Sequence, residues 1–271
     1  MKTREEIASL IYESLLNEKH NLKELFLETK DKIGFFYIDN LLPEDLVAEI
    51  HANFPKLEET VQRKNSRESK YVAYQMNRFN PLLEEIIYAF QDQRIVDLIS
   101  EICATKNIVA DEFLYAGGLS LMNKNSFLNP HLDNSHDKDR NLWRVFNLLF
   151  YVTPNWKLDN GGNLELWQDG ISNKQITIKS EFNRLVVMAT HKNSWHSVSK
   201  VVADETRCCV SNYYFSKYPL LENEEFHITT FRGNPSEKIK DKFLQVDNLL
   251  RSTARKLFKK GVRENPHQYK K

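Results

Sequence analysis

Cysteine and long apolar runs are both scarce in this chain. It holds three cysteines, two of them adjacent at positions 208 and 209, and an odd count without framework spacing argues against structural disulfides. The longest apolar runs, at 145–152 and 185–189, fall far short of the roughly 20 residues that span a bilayer. The first six residues lead into an amphipathic helix and not into a signal-peptide segment. We therefore expect a cytoplasmic protein with reduced thiols.

The composition is that of a folded domain. Apolar residues make up 41% and charged residues 28% of the 271 positions, which suffices for a substantial core. This length is normal for a single barrel or sandwich with helical additions. We expect an N-terminal region of helices and a strand over 1–107, a β core over 108–231, and a basic helix with a tail over 232–271, all within one domain.

The first 107 residues carry mostly helical patterns. Apolar spacing predicts one or two helices over 4–30 and a pair of helices over 80–102, while 33–39 is typical of a strand. A further helix begins near Pro43. Residues 58–72 are polar and rich in Glu, Arg and Lys, which predicts a mobile loop; it is either a lid over a site or an ordinary surface excursion.

From residue 108 onward the pattern changes to short strands separated by turns, which indicates a barrel or sandwich. The chain ends in an amphipathic helix that begins near Ile239. Residues 232–271 hold twelve Lys or Arg against four Asp or Glu, although the whole chain has a net charge of only +1. Such a basic segment attracts nucleic acid, anionic lipid or an anionic substrate, or is simply a solvated helix face.

The first candidate site lies at His131 and Asp133. Side chains two residues apart on a strand point to the same side, so this imidazole and carboxylate can bind one metal ion together. A second, distant histidine would complete the two-histidine, one-carboxylate triad that leaves positions open on iron(II). We choose His196, because it enters a strand, over His191, which lies in a polar turn.

Arg207 is the candidate for binding a cosubstrate. A guanidinium at the start of a barrel strand suits a dicarboxylate, because it binds a carboxylate through two parallel, charge-assisted hydrogen bonds. Tyr151 could donate a hydroxyl hydrogen bond to the same carboxylate, or be a core aromatic. Asn147 lies four residues earlier on the same strand face, so we expect it to contribute to the same cosubstrate site.

The run from His131 to Phe215 resembles the iron(II)- and 2-oxoglutarate-dependent dioxygenases, and among them the prolyl 4-hydroxylase-like group. The matching features, in order, are H-L-D at 131–133, F-Y-V-T-P-N-W at 150–156, G-G-N-L-E-L at 161–166, N-R-L-V-V-M at 183–188, W-H-S-V at 195–198 and R-C-C-V-S-N-Y-Y-F at 207–215. The chain has Leu121 and Met122 where some prolyl hydroxylases have a tyrosine.

The resemblance implies both a fold and a site. The fold would be mainly β with flanking helices, built on a double-stranded β-helix, or jelly-roll, core. His131, Asp133 and His196 would bind Fe(II), Arg207 and Tyr151 would bind 2-oxoglutarate, and Leu164 would pack against its methylenes. The reaction would use O2 to hydroxylate an unactivated C–H bond and release succinate; ascorbate is an additional expected reductant.

The substrate stays open between two classes. The resemblance suggests a prolyl residue or free amino acid, whereas the mixed charges between Asn134 and Arg144 suggest a small polar, sugar-bearing metabolite. Two alternatives are a jelly-roll binding protein without catalysis and an oxygenase recruited to an anionic surface through residues 236–271.

Overall fold

The computed structural model describes residues 1–257 and Tyr269. The helices within this part are α1 (Arg4–Asn17), α2 (Lys19–Thr29), α3 (Glu44–Ala52), α4 (Pro81–Ala89), α5 (Gln93–Ile102) and α6 (Lys238–Leu257). The strands are β1 (Phe35–Ile38), β2 (Val61–Lys64), β3 (Glu68–Ala73), β4 (Ile108–Ala110), β5 (Gly118–Met122), β6 (Phe127–Leu132), β7 (Trp143–Tyr151), β8 (Leu164–Leu166), β9 (Ile176–Ile178), β10 (Arg184–Ala189), β11 (His196–Val198), β12 (Arg207–Ser216) and β13 (Thr230–Phe231).

All the strands belong to one curled antiparallel sheet. They follow the order β1-β10-β7-β12-β5-β3-β6-β11-β8-β9, with β13 on β6, β2 on β3 and β4 on β12. The predicted mainly β core with flanking helices is confirmed.

The N-terminal helices cover the outer side of this sheet. α1 packs against α4 and α5 with a buried face that includes Ile7 and Ile11. On β7, Phe146 and Phe150 point toward these helices, where they contact the rings of Phe26 and Phe90. Since side chains alternate along a strand, Asn147, Leu149 and Tyr151 face the opposite side of the sheet and line a cavity.

The prediction of a mobile loop over 58–72 is wrong. This segment forms the β2–β3 hairpin, and β3 bridges the main sheet by pairing Tyr71 with Leu121 on β5 and Glu68 with Leu128 on β6. Its charged side chains face a polar cavity and not an apolar core. The segment therefore lacks the apolar alternation by which a strand is recognised.

The predicted C-terminal helix is present as α6, whereas the part of the basic segment at 258–268 and 270–271 lies outside the described residues. Leu244 is fully buried, and Asn248 accepts a hydrogen bond from the backbone N–H of Phe231. Arg232 donates from Nε and Nη2 to the two carboxylate oxygens of Asp241, at 2.6 and 2.8 Å. These contacts attach α6 beside β13. In the described part of the chain, no helix is both long and apolar enough to traverse a membrane.

Candidate metal centre

Two histidines and one aspartate converge inside the curled sheet. β6 and β11 are paired so that His131 lies opposite His196, and Asp133 follows directly after β6. The two Nε2 atoms each lie 3.7 Å from a carboxylate oxygen of Asp133, Oδ1 for His131 and Oδ2 for His196. Among the described residues, this is the one group of three such side chains whose ligand atoms all lie within 4.8 Å of one another.

Backbone carbonyls orient both imidazoles. The Nδ1 atoms of His131 and His196 each lie 2.9 Å from a carbonyl oxygen two residues earlier, on Asn129 and Ser194. Each Nδ1–H therefore donates to the backbone, and the lone pair of each Nε2 is left for a metal. Burial, together with the neighbouring His196, lowers the pKa of His131 to about 3, so this ring is neutral at physiological pH.

Asp133 is held as a carboxylate by its neighbours. Burial alone would raise its pKa, but Arg144 and the two histidines hold the pKa well below its usual range. The Asn147 side-chain amide donates to Oδ2 at 2.8 Å, and Arg144 Nη1 lies 3.4 Å from the same oxygen. An ionised carboxylate between two imidazoles is the donor set of a non-haem iron(II) triad, so the residues fit this metal.

Arg207 lies at the start of β12, on the same cavity. Its side chain is buried, stacks over the ring of Tyr151 at 5.2 Å, and has no hydrogen-bond partner for Nε. Gly162 allows this packing: a Cβ there would lie 3.1 Å from the Arg207 side chain, and its φ of +67° disfavours other residues. A buried donor without a partner fits a ligand carboxylate.

A cavity of about 700 Å³ connects these groups. The sequence-predicted site residues all line it: His131, Asp133, Asn147, Tyr151, Leu164, His196 and Arg207. Asn147 donates a hydrogen bond to Asp133 and so lies beside the candidate metal centre. Burial raises the pKa of Tyr151, so its hydroxyl stays protonated as a donor. His191 is buried elsewhere, with Nε2 3.1 Å from the carbonyl oxygen of Ile33.

Sequence reasoning missed several cations that line the same cavity. Arg144 was counted only among the mixed charges of a loop, although it stands inside a strongly apolar strand, a signal that could have identified it. The others come from the β2–β3 hairpin and from α6, namely Arg63, Arg67, Lys70 and Arg251. No apolar pattern marks the hairpin as part of a cavity.

Comparisons with known proteins agree with this geometry. Residues 117–215 match the family model described as the 2OG-Fe(II) oxygenase superfamily. No curated protein matches the chain.

Solved structures share the fold. A prolyl-4-hydroxylase from Pseudomonas putida has a TM-score of 0.53 and 16% identity, over 73% of this chain and 99% of its own. A prolyl 4-hydroxylase from Phytophthora capsici has a TM-score of 0.55 and 19% identity, over 93% and 79%. The alpha-ketoglutarate-dependent epimerase SnoN from nogalamycin biosynthesis has a TM-score of 0.52 and 12% identity, over 73% and 84%. These likenesses confirm the predicted jelly-roll core.

Proposed function

We propose that the protein is an oxygenase that uses iron(II), 2-oxoglutarate and O2 to hydroxylate a C–H bond of a small polar metabolite. The match of residues 117–215 to the 2OG-Fe(II) oxygenase superfamily supports this proposal. His131, Asp133 and His196 hold the iron, and Arg207 holds the distal carboxylate of 2-oxoglutarate. The observation that carries the proposal is that two histidines and an aspartate with their ligand atoms within 4.8 Å of one another line one cavity with a buried arginine. The Nε of this arginine has no hydrogen-bond partner.

The iron centre supplies the oxidant: one O2 and one 2-oxoglutarate give succinate and CO2 while one oxygen atom enters the C–H bond. The chain's own residues position the reactants. Arg207 and the Tyr151 hydroxyl bind and orient the cosubstrate, and Leu164 packs against its methylenes. Asn147 and Arg144 fix the Asp133 carboxylate, and the apolar walls exclude water. Ascorbate as an extra reductant stays a prediction.

A small polar substrate is favoured over a prolyl residue by the walls of the cavity. Arg63, Lys70 and Arg251 suit a charged or hydroxylated molecule better than an apolar pyrrolidine ring. Met122 also lines the cavity, at one of the two positions where the prolyl pattern departs. A cytoplasmic location and the domain boundaries stay predictions.

Turnover of 2-oxoglutarate tests this proposal. The protein should release succinate when supplied with iron(II), 2-oxoglutarate and O2, and polar metabolites should accelerate the release. Arg207→Gln should raise the 2-oxoglutarate concentration for half-maximal rate about tenfold or more, because a charge-assisted pair is lost. Arg184→Gln is the matched control, since Arg184 also stacks on a tyrosine, Tyr37 at 4.3 Å, but outside the cavity.

Two results would contradict the proposal. An absence of succinate under all these conditions would favour a binding protein without catalysis. Equal effects of Arg207→Gln and Arg184→Gln on the 2-oxoglutarate requirement would remove Arg207 from the cosubstrate site.

A second candidate role is recruitment to an anionic lipid surface through α6. This helix exposes a stripe of large apolar side chains, each more than half exposed: Ile239, Phe243, Val246, Leu249 and Leu250. Lys238 and Lys242 are exposed beside it. Apolar side chains flanked by lysines are typical of helices that lie in the interface of an anionic membrane.

Vesicle sedimentation tests this second role. Phe243→Asp should abolish binding to vesicles of phosphatidylserine and phosphatidylcholine, while Tyr218→Asp, at an aromatic 64% exposed elsewhere, should not. Point substitution is preferable to deletion of residues 236–271, because the deletion would also remove Leu244, which is buried, and Arg251, which lines the cavity. Unchanged binding of Phe243→Asp would contradict the role, as would a wild-type dimer that this substitution dissociates.

A further inference from the structure

We propose that the mouth of the cavity is an anion-binding subsite and that the substrate carries a phosphate or diphosphate group. This inference rests on the proposed function, since it names the substrate class of the same site. The subsite is built from the β2–β3 hairpin and α6, two elements outside the matched residues 117–215.

Positive charge in the cavity exceeds what the metal and cosubstrate require. Besides Arg63, five cations of the described residues line the cavity: Arg67, Lys70, Arg144, Arg207 and Arg251. Three described carboxylates line it or contact those five cations: Glu68, Asp133 and Asp247. A divalent metal and the doubly negative 2-oxoglutarate cancel each other, so these described groups leave a surplus of two positive charges.

This surplus of positive charge indicates which anionic group the substrate carries. A single carboxylate would neutralise one charge, whereas a phosphate monoester carries about 1.5 to 2 negative charges at neutral pH. Arginine is suited to this role, because its planar guanidinium binds phosphate oxygens through two parallel hydrogen bonds.

The arginines at the mouth are already held in place. Asp247 of α6 binds Arg67 Nη1 at 2.8 Å and Arg251 Nε at 2.9 Å, so one carboxylate orients a guanidinium from each element. Arg251 Nη1 also donates to the carbonyl oxygen of Thr229 at 3.0 Å. Orientation before binding reduces the entropy lost when a ligand is bound.

Arg144 extends the positive charge inward toward the metal. It is buried, its guanidinium lies over the ring of Tyr213 at 4.5 Å, and its Nε has no hydrogen-bond partner. A buried donor without a partner is an independent sign that a polar ligand group enters here. The substrate would therefore extend from the partly exposed hairpin and α6 cations toward Arg144 and the metal.

Calorimetric titration of the full-length, metal-free protein with inorganic pyrophosphate tests the subsite at low ionic strength. Wild type should bind pyrophosphate. Arg251→Gln and Lys70→Gln should each weaken binding about tenfold, the effect of losing one charged hydrogen bond. Arg251→Lys should recover part of the affinity, which separates loss of charge from loosening of α6. Lys124→Gln, at an exposed ion pair with Asp204 outside the cavity, should change it less than twofold.

Three results would overturn the inference. The first is that wild type does not bind pyrophosphate. The second is that Arg207→Gln loses pyrophosphate binding while Arg251→Gln and Lys70→Gln keep it. The third is that citrate binds as tightly as pyrophosphate and depends on Arg251 in the same way. Succinate release without pyrophosphate binding would remove the phosphate subsite and leave the oxygenase. Pyrophosphate binding without succinate release would keep the subsite and remove the proposed reaction.

Discussion

Individual side chains determine the state of the candidate metal centre. Asp133 is ionised inside the protein because Arg144, two imidazoles and the Asn147 amide surround it. His131 is neutral because burial disfavours its charged form. Backbone carbonyl oxygens accept a hydrogen bond from the Nδ1–H of each histidine and so orient both rings. These surroundings suit the candidate ligand set to a metal.

Asn147→Ala should weaken iron(II) affinity about 10- to 100-fold, the usual effect of losing a hydrogen bond to a metal-binding carboxylate. Competition with a chromogenic chelator measures this affinity. Asn212→Ala is the matched control, because Asn212 is also a buried strand asparagine but contacts Gln91 instead of Asp133. Equal loss of affinity in both variants would contradict the assignment.

Burial of His191 should lower the free energy of unfolding of the metal-free protein in mild acid. Its Nδ1 accepts a hydrogen bond from the Asn193 backbone N–H, its Nε2–H donates to Ile33, and burial lowers its pKa below 6.5. Below pH 6.5 the histidine is protonated in the unfolded chain but stays neutral in the folded protein, so the free energy of unfolding falls as pH decreases. The contribution is fully present well above pH 6.5.

Urea unfolding at pH 7.5 and pH 5.5 measures this dependence. His191→Gln should reduce the difference in the free energy of unfolding between the two pH values, by no more than about 1.4 kcal/mol, because pH 5.5 lies about one unit below the pKa of an unfolded histidine. His20→Gln, on a side chain 90% exposed, should not change it. An unchanged difference for His191→Gln would exclude His191 as a source of acid sensitivity.

At the residue scale, spacing within the sequence identified the side chains that the structure brings together. His131 and Asp133 were paired because side chains two residues apart lie on the same face of a strand. Arg207 was identified by its position at the start of a strand. Their roles as ligands stay predictions. Arg144 was missed because its importance arises from its contact with Asp133, which lies eleven residues away in sequence and meets Arg144 only in the folded protein.

Strands and helices with clear periodicity were predicted well, while the cavity-facing hairpin was not. β7 is a long run dominated by apolar and aromatic residues, and α4 and α5 carry helical apolar spacing. The β2–β3 hairpin carries charges on the face that a core strand would make apolar, so local pattern alone indicates a loop. Long-range pairing with β5 and β6 makes it a strand.

The turn before β8 should be intolerant of a side chain at Gly161. Its φ is +71°, and a Cβ there would lie 2.0 Å from the carbonyl oxygen of Lys200, in the segment that follows β11. Gly161→Ala should lower the free energy of unfolding by roughly 3 kcal/mol or more, through a steric clash added to backbone strain. Urea denaturation measures the change.

Gly170→Ala is the matched control for this turn. Gly170 also has a positive φ, +85°, but a Cβ there would have no atom within 4 Å. Only the left-handed backbone cost of about 1 to 2 kcal/mol is then expected. Equal destabilisation by the two substitutions would show that the close approach to Lys200 is unimportant.

In the molecule as a whole, the apolar core lies on one side of the curled sheet and the candidate site lies on the other. Helices α1 to α5 and the outward side chains of β7 and β12 form the apolar core, while the inward side chains surround the cavity. The hairpin and α6 complete the mouth of that cavity. Composition and strand count were enough to predict this class of fold, but which terminal elements reach the cavity depends on tertiary contacts that leave no local pattern.

The central claim concerns the three side chains and the guanidinium that share this cavity. Anaerobic addition of iron(II) and 2-oxoglutarate should give wild type the visible charge-transfer absorption of the bidentate chelate. His196→Ala should lose this absorption, whereas His191→Ala, at a buried histidine five positions earlier, should retain it. Absence of the band in wild type, or its persistence in His196→Ala, would contradict the account.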